Sequence, residues 1–335
     1  MNISNEAMYW EPLNGKVKCT LCPHYCIIEN GKTGICGVRK NEDGILKSLI
    51  YKLASSMHVD PIEKKPLFHF HPTEKALSLS PVGCNFKCKQ CQNWSISQDT
   101  SISSLKKVEP EEVIINAKTS NCNVIAWTYN EPTIWFEYTL VTSVLAKQNG
   151  LYTVYVTNGY INEEPLKEIS KYLDAMNIDV KAFSDDFYRN ICGGRLQPVL
   201  DTVIRAKELG IHVELTYLII PTLNDSENEI RDFASWVMDN VGEDVPIHFS
   251  KFHPDYKLRH LPETPISKMK EAYEIAKDVG VNYVYLGNVS APKYENTYCP
   301  NCDTILIERE YYTTTIQHLK NGKCDVCGND INIIF

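Results

Sequence analysis

Three groups of closely spaced cysteines contain eleven of the thirteen cysteines in this 335-residue chain. Clustered thiols in a chain whose N-terminus lacks a secretion-signal pattern indicate metal ligands rather than disulfides. The remaining two, Cys122 and Cys192, stand alone, and we expect them to be ordinary small buried residues. In chain order the groups are Cys19, Cys22, Cys26 and Cys36; Cys84, Cys88 and Cys91; and Cys299, Cys302, Cys324 and Cys327.

The central group directly follows an apolar segment. Three and then two residues separate Cys84, Cys88 and Cys91. Three thiolates at this spacing can ligate three irons of one [4Fe–4S] cluster, whereas a cluster that only transfers electrons normally has four cysteine ligands. The missing fourth ligand leaves one iron open to substrate, as in other catalytic metal sites. The alternative is a zinc ion that takes its fourth ligand from a distant residue.

The C-terminal group has the spacing of two metal-binding knuckles. Two residues separate Cys299 from Cys302 and Cys324 from Cys327, and 21 residues separate the two pairs. This pattern predicts a tetrahedral zinc-ribbon or rubredoxin-like site in a small tail. Zinc is the first choice and would be structural. Iron accepts the same ligands and would make the tail an electron relay.

The N-terminal group is spaced less regularly, with two, three and nine residues between Cys19, Cys22, Cys26 and Cys36. Four thiolates can bind zinc or an auxiliary [4Fe–4S] cluster. We expect a metal here and slightly favour zinc. His24 is an outside candidate ligand, although a histidine in this context is more often simply packed or exposed.

The elements that must position these groups form an alternating pattern between residues 76 and 289. Apolar segments with the character of strands alternate with amphipathic helical segments, three of which end at Gly150, Gly210 and Gly280, where a C-cap is expected. The alternation predicts an α/β fold with a parallel sheet, and six or seven units favour a complete or partial barrel. The predicted strands are 76–83, 124–130, 152–159, 175–182, 212–221, 246–254 and 282–289.

Polar residues follow several of these strands. In parallel barrels the carboxyl ends of the strands form the active face, so these side chains are candidates for binding a cofactor there. The alternative is that each is a solvated loop residue. The candidates are Asn130, Glu131, Asn158, Asp179, Lys181 and His253.

The loop GCNFKCKQCQNW (83–94) resembles that of the radical S-adenosylmethionine (radical SAM) superfamily. The resemblance implies a partial (β/α)6 TIM-like barrel at 76–290, between a Cys-rich N-terminal extension (1–75) and a four-cysteine tail (291–335). It also implies SAM bound to the open iron, a reducing partner of the flavodoxin or ferredoxin class, and a 5′-deoxyadenosyl radical that abstracts hydrogen from a substrate. It identifies neither that substrate nor a catalytic acid or base.

Within the superfamily the chain is most similar to the pyruvate formate-lyase activating enzyme group. The shared motifs are Thr157-Asn158-Gly159 and Asp179-Val180-Lys181, while Glu131 keeps an acid that the group places after its second strand. The resemblance implies that Glu131 receives the SAM amine and that Asp179 and Lys181 face SAM. His253 matches a late histidine of the group. The chain departs from the group at Val156, where the activating enzymes have an aspartate.

A denser resemblance, over almost the whole chain, is to the radical SAM member of the AmmeMemoRadiSam system. The matching stretches include CTLCPHYCIIENGKTGICGVR (19–39), YNEPTIWFEY (129–138) and IPTLND (220–225). This resemblance implies Memo-like and AMMECR-like proteins as partners.

Composition excludes several other classes of protein. The chain has 42 acidic and 34 basic residues and a net charge of −8, so a nucleic-acid-binding role is not expected. No apolar run is long enough to span a membrane, and the polar N-terminus predicts a cytoplasmic protein.

Three functions are therefore open. The first is a radical SAM enzyme acting on an unknown substrate. The second is an activase that abstracts hydrogen from a glycine of a partner enzyme. The third is a non-catalytic iron–sulfur or zinc scaffold, which would not need the acidic and basic residues at the strand ends.

The segment DPIEKKPLFHF (60–70) is ambiguous. One interpretation is an edge strand with Glu63, Lys64 and Lys65 solvated. The other places it beside the barrel mouth as part of a substrate wall.

Overall fold

A computed structural model of the protein describes residues 5–310 and 313–335. Residues 1–4 of the predicted extension and 311–312 of the predicted tail lie outside the described residues. The N-terminal part is built of short antiparallel pairs that carry the first cysteine group. Its strands are β1 (Trp10–Leu13), β2 (Lys16–Cys19), β3 (Ile27–Ile28), β4 (Arg39–Glu42), β5 (Ile45–Ser48) and β6 (Leu53–Ala54).

An eight-stranded sheet forms the centre of the molecule. Seven of its strands are parallel and follow one another in chain order, and β7 is added antiparallel to β8 at one edge. The strands are β7 (Ser56–Pro61), β8 (Lys75–Ser80), β10 (Val124–Trp127), β11 (Tyr152–Thr157), β12 (Ala175–Asp179), β13 (His212–Ile219), β14 (Ile247–Lys251) and β15 (Val284–Gly287). The short β9 (Lys106–Lys107) pairs with β6 instead.

All seven predicted strands are present, so the parallel sheet is confirmed. Each of the first six parallel strands is followed by a helix, which gives six β/α units, and β15 adds a seventh parallel strand beside β14. Residues 56–59 were not predicted as part of this sheet. Three consecutive side chains there, those of Met57, His58 and Val59, are exposed, so the alternation of a half-buried strand is absent.

The helices lie between successive strands and bury one face each. Gly150, Gly210 and Gly280 have φ of +71°, +80° and +113°, which confirms the predicted C-terminal ends. None of the helices in the described part of the chain is long and apolar enough to cross a membrane. The helices are α1 (Trp94–Ser97), α2 (Pro110–Thr119), α3 (Phe136–Gln148), α4 (Glu163–Ile169), α5 (Asp185–Phe187), α6 (Gln197–Glu208), α7 (Glu227–Asn240) and α8 (Ile266–Val279).

The C-terminal part packs against the sheet through a small apolar cluster that includes Phe68, Tyr285 and Leu306. Main-chain hydrogen bonds reinforce this contact: His71 N–H donates to Ile334 O, at 2.7 Å, and Ile334 N–H donates to the oxygen of residue 69, at 2.9 Å. The tail therefore lies on the segment that joins β7 to β8. Its strands are β16 (Thr297–Tyr298), β17 (Ile305–Glu310), β18 (Thr313–Ile316), β19 (Leu319–Lys320) and β20 (Lys323–Cys324).

A buried ion pair attaches the N-terminal part to α3. Arg39 Nη1 donates to Glu137 Oε1 at 2.8 Å, and the two side chains are only 2% and 1% exposed. The same carboxylate oxygen accepts from Met8 N–H at 2.7 Å. Because buried charges are costly unless paired, this contact fixes the first cysteine group against the sheet.

We predict that Glu137→Gln destabilises the fold by about 3–5 kcal/mol, because it leaves the Arg39 guanidinium buried without a counter-charge. The measurement is the thermal unfolding temperature of the full chain. Glu29→Gln is the matched control, since the Lys16–Glu29 pair in the same region is exposed. An equal, small effect of both substitutions would show that the buried pair is not needed.

Candidate active site

A cavity of about 220 Å³ lies at the carboxyl ends of the parallel strands. Cys84, Cys88 and Cys91 line one part of its wall. The loop reaches this position because Gly83 has φ +87° and packs so closely that a Cβ would lie 2.7 Å from the main-chain oxygen of Cys36. Any other residue at 83 would push the loop away from the N-terminal part.

The three thiols of this loop have the chemistry of ligands to a multi-iron cluster. Burial raises the pKa of Cys84 well above its usual range and also raises that of Cys91. Thiols that resist ionisation in an apolar wall become thiolates when they bind metal. A single ion needs ligand atoms that all lie within about 4.8 Å of one another. Among the described residues, the sulfurs of Cys84, Cys88 and Cys91 do not form such a set. The donor set thus fits a cluster better than one zinc.

An ion pair faces the thiols across the cavity. Lys181 Nζ donates to Asp179 Oδ2 at 2.5 Å, and the lysine side chain is 20% exposed. Burial acts against the charge on Lys181, but Asp179 and the Cys88 thiol outweigh it and raise its pKa above the usual value. The lysine is therefore a cation at neutral pH, and the cavity has both signs of charge.

Two asparagines complete the cavity. Asn130 Nδ2 donates to Gly83 O at 2.7 Å. Asn158 Nδ2 donates to Asn85 Oδ1 at 2.8 Å and lies 3.7 Å from Cys84 Sγ. The structure thus brings Asn130, Asn158, Asp179 and Lys181 together with the three cysteines.

Glu131 lies behind the cavity rather than in it. Its side chain is fully buried, and its carboxylate accepts from Thr133 N–H, from Thr157 Oγ1 and from Asn158 N–H at 2.8–2.9 Å. Burial raises its pKa although these bonds act in the other direction. The contact with a SAM amine stays a prediction; in this structure the turn after β10 closes around the carboxylate, which also holds the main chain of Asn158.

His253 is not brought into the cavity. It follows β14 and is exposed, and the cavity is lined from this side by Ser250 and Asn288 instead. Neither was predicted, because a lone serine or asparagine after a strand has no distinguishing spacing. Cys192 is buried, as expected. Its hydrogen bond with the thiol of Cys88 was not predicted.

The segment from 60 to 70 differs from the solvated edge that one interpretation expected. Lys65 is 1% exposed and donates to Asp60 Oδ2 at 2.7 Å. Asp60 also accepts from the hydroxyl of Tyr129, which lines the cavity. Burial works against ionisation of Asp60, but these hydrogen bonds hold its pKa below the usual value. Lys65 thus braces the cavity through Asp60, whereas Lys64 is half exposed, as the solvated edge predicts.

The four N-terminal cysteines line a separate, small apolar cavity together with Asn85. The Nε2–H of His24 donates to the main-chain oxygen of Asn85 at 2.7 Å, so this histidine is already engaged. Burial lowers its pKa. Asn85, a residue of the central loop, is therefore in contact with the N-terminal group.

The four C-terminal sulfurs all lie within 4.8 Å of one another. Cys299 Sγ is 3.5 Å from Cys327 Sγ, and Cys302 Sγ is 3.7 Å from Cys324 Sγ. Hydrogen bonds from Asn301 and Asn329 lower the pKa of Cys327 to about 6. Four close thiols, one of them ready to ionise, fit a single tetrahedral ion.

Comparison with known proteins agrees with this geometry. Residues 79–234 match the radical SAM superfamily. The chain therefore contains a radical SAM domain. This domain implies a [4Fe–4S] cluster, SAM and a reductant, and it supports an enzyme of the radical SAM type.

A relative that covers nearly the whole chain is uncharacterized protein MJ0808 of Methanocaldococcus jannaschii, 46% identical over 98% of this radical SAM chain and 99% of that one. The two belong to one family. The pyruvate formate-lyase-activating enzyme of Clostridium pasteurianum is 26% identical over 59% of this chain and 88% of that one. Streptococcus suis SuiB bound to S-adenosylmethionine has a similar fold, with a TM-score of 0.51, 13% identity and coverage of 68% of this chain and 53% of that one.

We predict that Cys302→Ser combined with Cys327→Ser releases the ion of the C-terminal site, because two sulfurs cannot complete a tetrahedral shell. Both cysteines are exposed, so the substitution itself leaves packing intact. Metal content of the full chain, prepared without iron–sulfur reconstitution, is the measurement. Cys122→Ser is the control, and unchanged metal content in the double variant would contradict the site.

Proposed function

We propose that the protein is a cytoplasmic radical SAM enzyme in which Cys84, Cys88 and Cys91 hold the [4Fe–4S] cluster. The observation that supports this most is the placement of three buried thiols in the wall of a cavity that also contains the Asp179–Lys181 pair. When bound, the cluster supplies the electron that cleaves SAM to methionine and a 5′-deoxyadenosyl radical, which takes a hydrogen atom from the substrate. A flavodoxin or ferredoxin is the proposed reductant.

The residues around the thiols would bind and orient SAM. SAM has a carboxylate, an ammonium group and a sulfonium group. Lys181 provides the cation for its carboxylate, and Asp179 keeps that lysine oriented and charged. The amide oxygen of Asn130 is the polar group placed to accept from the ammonium in place of Glu131, because among the described residues it accepts a single hydrogen bond, from Ser80, at 3.1 Å.

We further propose that the sheet curves into a partial barrel, bounded at about residues 76–290, and that the tail binds zinc as a ribbon. For the N-terminal group the spread of the sulfurs favours an auxiliary [4Fe–4S] cluster over the zinc that the sequence slightly favoured. Membership of the AmmeMemoRadiSam system, with Memo-like and AMMECR-like partners, remains the most specific proposal. The resemblance to an activating enzyme keeps hydrogen abstraction from a partner's glycine as the second candidate.

Replacing Cys84, Cys88 and Cys91 together by Ala should reduce 5′-deoxyadenosine formation to background, because only this loop combines three thiols with the charged cavity. The assay is single-turnover SAM cleavage by the reduced, reconstituted protein. Cys122→Ala, at a buried cysteine outside the three groups, should cleave SAM like the wild type. Undiminished cleavage by the triple variant would contradict the assignment of these three cysteines, whereas no cleavage by the wild type would favour the scaffold function.

Lys181→Met should weaken SAM binding about ten-fold or more, since losing a charge-assisted hydrogen bond costs about 1.5–3 kcal/mol. Binding is followed by equilibrium dialysis with labelled SAM on the reconstituted protein. Lys167→Met is the matched control, because this lysine pairs with Glu163 on the exposed face of α4. Equal affinity of both variants would remove Lys181 from the SAM site.

A further inference from the structure

A second cavity, of about 480 Å³, adjoins the one that contains the thiols. Ser250 and Asn288 line both. Its other walls come from β15, from the segment that joins β7 to β8, and from the tail. A compound bound there would lie next to the SAM site, and the volume is that of a small-molecule pocket.

The tail contributes a buried arginine to this second cavity. Arg309 is 2% exposed, and no carboxylate of the described residues lies within 4.0 Å of its guanidinium. The carboxylates of Glu63 and Glu295 line the same cavity but lie beyond this distance. A buried cation without a paired acid is rare, because desolvation of a charge is costly unless a counter-charge compensates.

The hydrogen bonds within the protein leave part of this guanidinium free. Nη1 donates to Glu295 O and to Thr297 Oγ1, and Nη2 donates to Phe68 O, all at 2.8–2.9 Å. The Nε–H is buried and has no hydrogen-bond partner among the residues that the structure describes. A guanidinium has five N–H donors, so Nε–H and one N–H of Nη2 remain unused.

The three bonds that are made explain how Arg309 anchors the tail, but an anchor does not need the other two donors. The guanidinium is held in place by aromatic rings, with its carbon 4.1 Å from the centre of the Phe68 ring and 5.9 Å from that of Tyr285. It is therefore pre-oriented and cannot turn its free donors to solvent. Paired oxygens of one anionic group match such a fork.

The other charged groups near the guanidinium do not compete for it. Glu214 is fully engaged by its neighbours, accepting from Phe68 N–H at 2.9 Å and from the His248 ring at 2.6 Å. Lys64 at the cavity is paired with Asp60 at 2.9 Å. Arg309 is thus the cation of this cavity that no carboxylate of the described residues pairs with, although the carboxylates of Glu63 and Glu295 line the same cavity.

We propose that the second cavity is the substrate pocket and that Arg309 binds an anionic group of the substrate, a carboxylate or a phosphate, through its Nε–H and free Nη2–H. The inference rests on the proposed function, because the bound anion is a substrate only if the protein is a radical SAM enzyme. The anion would lie at the tail side of the pocket and the rest of the molecule would extend past Ser250 and Asn288 toward SAM. A small acid, rather than a protein segment, fits this enclosure.

The test measures binding on the full, metal-loaded chain without SAM or reductant. Benzoate and phenyl phosphate are the carboxylate and phosphate probes, and benzyl alcohol is the uncharged control. Titration calorimetry should show one of the acids binding the wild type, and binding at least ten-fold weaker to Arg309→Gln, in line with loss of a charged hydrogen-bond pair. Binding of benzoate would identify a carboxylate as the preferred anionic group, and binding of phenyl phosphate would identify a phosphate. Benzyl alcohol should not bind detectably.

Two further variants keep the result interpretable. Arg259→Gln is the matched control, since that arginine is 67% exposed, and it should bind the acids like the wild type. Ala291→Phe narrows the same cavity at a position other than Arg309. It should also abolish binding, so the pocket can still be tested if Arg309→Gln fails to fold. No binding of either acid by the wild type, or equal binding by all variants, would overturn the inference.

Because the titration needs no SAM cleavage, the two proposals fail separately. If the protein binds an acid through Arg309 but never cleaves SAM, the proposed function is wrong and the anion site stands. If it cleaves SAM but binds neither acid, the pocket assignment is wrong and the enzyme assignment stands.

Discussion

The buried carboxylate of Glu131 is the contact on which the geometry of the thiol cavity depends. It joins the turn after β10 to the end of β11 through Thr133, Thr157 and the main chain of Asn158. Asn158 then reaches Asn85 in the cysteine loop. A carboxylate removed from water is tolerated only when its oxygens are satisfied, so the two strand ends and the loop hold one another in a single arrangement.

The cysteine groups at the two ends of the chain are attached to this centre in different ways. On the N-terminal side, Gly83 packs on Cys36 O and His24 bonds to Asn85, so the first group is in direct contact with the central loop. On the C-terminal side, the tail contacts the sheet through Arg309 and Phe68, next to the second cavity. The N-terminal cysteines thereby lie beside the central loop, and the tail that contains the C-terminal cysteines forms one wall of the second cavity.

Patterns local in sequence predicted most of the fold. The seven parallel strands and the helix ends at Gly150, Gly210 and Gly280 follow from periodicity and backbone conformation, which short segments encode. The thiols were found because their spacing is distinctive. The hydrogen bonds of Glu131 within the protein were not predicted, because the same acid at a strand end can face a ligand or brace a turn. Arg309 was missed because one of its partners, Phe68, is 241 positions away, and nothing in its neighbours marks it.

The hydrogen bonds of Ile334 to residues 69 and 71 have a consequence for biosynthesis. While the ribosome is still adding residues 291–335, the strands of the sheet are already able to pair, but the segment that joins β7 to β8 has no cover. Contacts between residues so far apart in the chain form slowly. The second cavity is therefore closed only after the strands of the sheet can pair. The order in which the chain leaves the ribosome thus sets the order in which the walls of this cavity form.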